Sequence, residues 1–280
     1  MRCLIKISIV AAIAVLFVSC NEKGGLLISP VYDEPTDSVI VPLEPIDSQI
    51  IMGIKEEIKP GKRSAVLSFY TKKIYSQGGA KINGSLSIIN NSIRVELKEI
   101  ILPEVGPAIS MPASVSFNLG ELRNGCHTIR IIINGKEITG VISVSDESFD
   151  MKILPNNIII CRQNTILRIP AYIIWGQAES IRPDHYRLFL DSLKILGAKE
   201  HNLKPGQYTH FDIDSQGNFD THSVLGMPYG EFFLRSFEGD TLITRNLVKR
   251  FSKRYGDSVY IKLFGGRGEM YFSTILKNEP

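Results

Sequence analysis

From residue 63 to residue 153 the chain is written in short alternating pieces. Six segments follow one another: 64–71 (SAVLSFYT), 81–89 (KINGSLSII), 92–100 (SIRVELKEI), 113–119 (ASVSFNL), 127–133 (HTIRIII) and 137–144 (EITGVISV). Each alternates apolar with polar residues or is rich in β-branched ones, and no period of 3.6 runs through them. Such a segment buries one face as a strand and cannot bury a helical stripe. Asn90-Asn91 and Asn134-Gly135 stand between neighbouring segments. Both pairs tolerate the positive φ that a two-residue hairpin demands. Short strands joined this way must stack their apolar faces, which predicts an all-β sandwich over residues 61–155.

After residue 156 the pattern changes. Segments 158–161, 165–169 and 171–176 (AYIIWG) read as strands, and 183–197 (PDHYRLFLDSLKILG) reads as a helix. Pro183 suits a first helical turn, Asp184 favours the positive helix end, and Gly197 offers a left-handed cap. Tyr186, Phe189, Leu190, Leu193 and Leu196 share one face. Residues 208–213 and 230–237 are strand-like, 241–255 is a second helix, and 258–264 with 269–275 form a hairpin across Gly265-Gly266-Arg267-Gly268. Two helices on one face of an antiparallel or mixed sheet predict an α+β domain over 156–280, a ferredoxin-like variant.

The first sixty residues read differently. Arg2 and Lys6 precede an apolar run from 7 to 18, too short to cross a hydrocarbon core of ~30 Å. That is the layout of a secretory signal peptide, taken to cover 1–19. Residues 20–60 are rich in Pro and acid, and the expectation there is an extended tether. Phe17-Val18-Ser19-Cys20 resembles the lipobox of bacterial lipoproteins. The resemblance implies cleavage before Cys20 and acyl chains on its thiol and new N-terminus, a membrane anchor of more than one chain. Asn21, where enterobacterial sorting uses Asp for inner-membrane retention, implies the outer membrane.

The 280 residues are 44% hydrophobic, enough for a substantial core, and the formal charge is +3. This balance gives no electrostatic reason to expect nucleic acid. Cys126 and Cys161 remain beyond the leader and Cys20. An exported chain can keep a disulfide, so they are read either as one bridge or as two buried thiols.

Several groups invite chemistry. Residues 210–222 (HFDIDSQGNFDTH) place Asp212, Asp214, Gln216 and Asp220 at loop positions that could hold calcium, but Ser223 stands where a bidentate Glu is needed. The competing reading is a hairpin turning on Ser215–Asn218. Zinc through His210 and His222 lacks a close His or Cys spacing. Trp175 with Tyr172 offers either a sugar-stacking platform or core packing. The glycines of FGGRGE read as an anion nest or as a hairpin tip. Arg245, Lys249 and Lys253 share a face of the second helix, either solvated or turned to acidic lipid or an acidic partner. No Gly-x-Ser-x-Gly elbow or paired-carboxylate arrangement stands out, and no cofactor is called for beyond the calcium reading.

Residues 120–144 (GELRNGCHTIRIIINGKEITGVISV) resemble the last strands of small immunoglobulin-like modules in bacterial surface lipoproteins. With the lipobox, this grammar resembles that of Bacteroidota cell-envelope lipoproteins. In that phylum Asp-Ser/Thr-aliphatic sites are O-glycosylated, which implies Ser38 in Asp37-Ser38-Val39 as an acceptor; Asp191-Ser192-Leu193 and Asp257-Ser258-Val259 also match. The expected function is an outer-membrane-anchored, non-catalytic binding or assembly module for a glycan or envelope protein, facing the periplasm or the outside. An exported hydrolase with its site in the C-terminal domain and a calcium-stabilised adhesin are the alternatives.

Overall fold

The structure is a computed structural model that describes residues 43–76, 78–103, 109–221 and 223–278. Cys20, Ser38 and His222 lie outside the described residues. The fold is mostly β. Strands β1 (Leu43–Pro45), β2 (Ile50–Lys59), β3 (Lys62–Tyr75), β4 (Lys81–Ile89), β5 (Ser92–Ile101), β6 (Met111–Gly120), β7 (Gly125–Ile133), β8 (Lys136–Val144), β9 (Ser148–Ile153), β10 (Ile159–Cys161) and β11 (Thr165–Leu167) form one curled mixed sheet. Its order is β10-β2-β3-β6-β4-β5-β7-β8-β9-β11, with β1 added beside β5. Strands β4 and β6 meet at a single pair, Lys81 and Ser114. The sheet parts beyond that pair, so two layers fold over one core, in the manner of a sandwich.

The alternation does what it predicts. In β7, His127, Ile129, Ile131 and Ile133 face inward while Cys126, Thr128 and Arg130 are exposed. Ile50, Met52, Leu67, Phe69, Ile93 and Ile129 sit at the bottom of the core, each worth roughly 1.5–3 kcal/mol on burial. Asn134 (φ 50°) and Gly135 (φ 77°) close the β7–β8 hairpin in the left-handed region, as the dipeptide requires.

The expected tether stops short of residue 60. Residues 50–59 are a ten-residue strand, β2, paired along its whole length with β3. Ile50, Met52, Ile54 and Glu56 alternate inward, and this period outweighs the acid and proline around them. The sandwich also reaches past residue 155, because β10 runs parallel to β2 and β11 pairs with β9.

The second unit is a five-stranded antiparallel sheet in the order β13-β17-β12-β18-β19, from β12 (Ile173–Ser180), β13 (Lys199–Glu200), β17 (Tyr229–Ser236), β18 (Val259–Gly265) and β19 (Met270–Phe272). Helices α1 (Pro183–Ile195) and α2 (Thr241–Tyr255), with the short α3 (Ser273–Leu276), cover one face. Asp240 caps α2 by accepting from Leu242 N at 2.9 Å, and Gly256 (φ 56°) ends it. The other face carries Trp175 and packs on a three-stranded hairpin layer, β14 (Gly206–Gln207), β15 (Asp212–Ile213) and β16 (Phe219–Asp220). Of the single strand expected over 208–213, residues 208–211 turn between β14 and β15, and only Asp212–Ile213 are strand. No helix among the described residues is long and apolar enough to cross a membrane.

Candidate functional site

Where the hairpin layer meets the outer face of β2 and β3 there is a groove of 470 Å³. Its floor is set by register. Ile51 pairs with Tyr70, Gly53 with Ser68 and Lys55 with Val66, so these side chains share the outward face. Gly53 leaves a dip in this row. A Cβ built there meets nothing within 4 Å, so packing does not demand glycine. Beside the dip, the hydroxyls of Ser68 and Ser116 are 2.9 Å apart. Tyr70, 38% exposed, borders it on one side. Arg162 stands beside Gly53, because its N–H donates to Met52 O at 2.8 Å. Gln163 adds an amide, and Gln207, Thr209, His210 and Thr221 form the opposite wall.

Electrostatically the groove leans positive. Among the described residues neither Lys55 Nζ nor the Arg162 guanidinium has an ion-pair partner. Glu57, outside the groove, is held below the usual carboxylate range first by its bond to Lys59. His210 keeps an exposed edge, yet its ring leans on Trp175 at 5.5 Å. Desolvation there lowers its pKa below the ordinary 6.5, against the pull of Glu56, so it is neutral at pH 7.

The groove walls are locked together from below. Glu56, 2% exposed, accepts from Arg168 Nε at 2.9 Å and faces Arg63 Nη1 at 3.3 Å. Arg63 Nη2 also donates to Ile169 O at 2.7 Å and to Gly266 O, and Arg168 donates to Ser145 O at 2.9 Å. Glu56 N donates to Thr209 Oγ1 at 2.8 Å. Glu56 therefore ties the sandwich to the linker around residue 168 and the second unit through the two arginines on its carboxylate, and to the hairpin layer through its own N–H. Trp175, Phe211, Tyr208 and Ile169 form an apolar cluster at the same junction.

The residues singled out from sequence fall elsewhere or take other roles. Trp175 is 4% exposed, stacked on Phe264 at 5.8 Å and edge-on to Phe211, so it presents no free ring to a sugar. Tyr172 is half-exposed and meets His201 edge to face, so the two form no platform. Asp214 closes the β15–β16 turn. Its Oδ1 accepts from Gln216 N and Asn218 N, both at 2.8 Å, and its Oδ2 from Asn218 Nδ2 at 2.7 Å. These bonds hold its carboxyl below its ordinary value. Asp212 and Asp220 pair across β15 and β16, and Gln216 Oε1 faces Asn218. The segment is thus a hairpin that turns on Asp214 to Asn218. Among the described residues no group of three or more His, Cys, Asp or Glu is arranged to hold a metal.

Cys126 and Cys161 are both free, which departs from the disulfide reading, and Cys126 is exposed, which departs from the reading of two buried thiols. Cys126 is on the exposed face of β7 with Sγ 3.7 Å from Ser143 Oγ. Cys161 is on β10 beside Met52, and burial pushes its thiol pKa up. The FGGRGE segment is a packed turn: Arg267 N donates to Glu269 Oε2 at 2.9 Å, and Arg267 Nη1 to Gly239 O at 2.9 Å.

The groove residues Gly53, Lys55, Tyr70 and Arg162 escaped the sequence reading. The available signal was Gly53 itself, a glycine inside the β-rich run IIMGIKEEI, which marks a strand with an open spot. No family model, no curated protein and no solved structure matches this chain.

Proposed function

We propose that the chain is an exported bacterial envelope lipoprotein, held to the outer membrane by acyl chains on Cys20, and that its body is a non-catalytic binding module whose ligand site is the Gly53 groove. The observation that carries the binding role is the groove floor: an unfilled dip flanked by an aromatic ring, hydroxyls and unpaired cations, held between rigid walls. Hydrogen-bonding groups beside an exposed ring suit a glycan. The anchor is supported by the basic start, the apolar run and Phe17-Val18-Ser19-Cys20.

The finer fold reading belongs to this proposal. The β7–β8 hairpin supports an immunoglobulin-like sandwich, to which β5/β7 and β10/β2 add parallel pairs. The order β18-β12-β17-β13, with α1 after β12 and α2 after β17, supports a ferredoxin-like unit extended by β19 and by the inserted hairpin layer.

Two measurements test it. Mass spectrometry of the protein extracted from cells should find Cys20 as an acylated N-terminus, and Cys20→Ala should move the protein to the soluble fraction. An unmodified cysteine ends the anchor reading. A glycan array and pull-downs from envelope extracts test the binding role; two blank results end it.

A further inference from the structure

The charge of the groove carries the reading one step further, and rests on it: we infer that the ligand is an acidic glycan, a sugar chain bearing carboxylate or sulfate, gripped by Lys55 and Arg162 across the dip at Gly53.

The argument starts from what the two cations lack. Lysine and arginine on a protein surface commonly find a carboxylate or lie free in water. Lys55 and Arg162 are both exposed to water, but they line one groove together with a residue that has no side chain, and neither has an ion-pair partner among the described residues. Other charges offset them only in part: Glu57 acts on Lys55 but is bonded first to Lys59. The buried Glu56 beneath is outnumbered by Arg63 and Arg168. Asp212 also lines the groove, but it has interactions of its own. His210 lines the groove too and carries no negative charge in either protonation state.

The remaining lining says which anion. Arg162 presents a planar fork that fits a carboxylate or a sulfate with two parallel bonds. Tyr70, on the neighbouring row, offers a face to the C–H side of a pyranose ring. Ser68, Gln163 and Gln207 supply donors and acceptors for ring hydroxyls. A small inorganic anion needs the cations but not the ring, and a neutral sugar needs the ring but not two unpaired cations. An acidic sugar uses both.

The test uses the full chain in detergent, with polygalacturonate, chondroitin sulfate and neutral dextran as probes, followed by calorimetry. The acidic polymers should bind and dextran should not, and about 0.5 M salt should weaken binding by screening. Arg162→Gln and Lys55→Gln should each weaken it about tenfold. Gly53→Leu should abolish it while leaving the chain folded, checked by its melting curve, because a Cβ there meets nothing within 4 Å and the longer side chain grows into the groove. A preference for polygalacturonate assigns carboxylate; chondroitin sulfate carries both groups, so a preference for it assigns sulfate when desulfated chondroitin fails to bind. If dextran binds as well as the acidic polymers and Gly53→Leu blocks both, the groove stands and the acidic ligand is overturned. If acidic polymers bind but Gly53→Leu has no effect, the site assignment falls. If no probe binds at millimolar concentration, the acidic-glycan inference is overturned.

Discussion

Glu56 shows how one residue can be costly and necessary at once. Its carboxylate is 2% exposed between two guanidiniums that are themselves largely covered, Arg168 at 14% and Arg63 at 23% side-chain exposure. Desolvating three charges opposes folding, and their attraction offsets that only while all three are present. The arrangement is best regarded as positional: the remaining donors of Arg63 and Arg168 fix Ile169, Gly266 and Ser145, three points on separate parts of the chain. Removing the charge alone leaves two cations facing a neutral amide. Glu56→Gln is expected to lower stability by about 3 kcal/mol, read as a shift in the urea midpoint at pH 7. An unchanged midpoint would mean that both guanidiniums already reach water. Nothing in the local sequence marks this residue. KEEIKPGKR reads as a solvated acidic and basic stretch, and the partners at 168 and 209 lie more than a hundred residues away.

Elements with a strong local signature were legible. α2 runs over Thr241–Tyr255 as its period and caps require, and the Asn134-Gly135 hairpin forms where the dipeptide stands. β2 was missed because Pro42, Pro45 and Pro60 frame it and four charges interrupt it, although its inward residues alternate cleanly. The hairpin layer β14–β16 was half legible. Ser215–Asn218 declared a turn, but strands of two residues have no period to read. What holds that layer is aromatic packing rather than its ladder. Phe211 is 1% exposed and touches Trp175, Tyr208 and Phe219, with centroids at 5.5, 4.9 and 5.0 Å. Phe211→Ala should therefore cost about 3–4 kcal/mol and loosen the layer first. Limited proteolysis should then cut between residues 206 and 221 before anywhere else in the described body. Cleavage elsewhere first would show that the layer is held by something other than this cluster.

At the scale of the molecule, the groove exists only because the sandwich and the second unit are held in one relative position. Sequence could not show this, since a binding surface built from β2, β3, the residues after β10 and the hairpin layer has no linear motif. The two units also meet backbone to backbone. Gly268, φ 95°, lies against Lys59 and Pro60, and a Cβ there would come within 2.1 Å of Lys59 C. This contact cannot yield by rotating a side chain, so a methyl group must push the units apart or strain the turn. Each unit has its own core, so each should survive the separation. Gly268→Ala is expected to split a single calorimetric transition into two, with little loss of helix or strand signal, because the Glu56 clamp and the Trp175 cluster lose their registration together. It should also weaken binding in the groove, although Gly268 is not among the residues lining it. A single transition at the wild-type temperature, with binding intact, would mean that the turn accommodates the methyl and that the junction owes little to this contact.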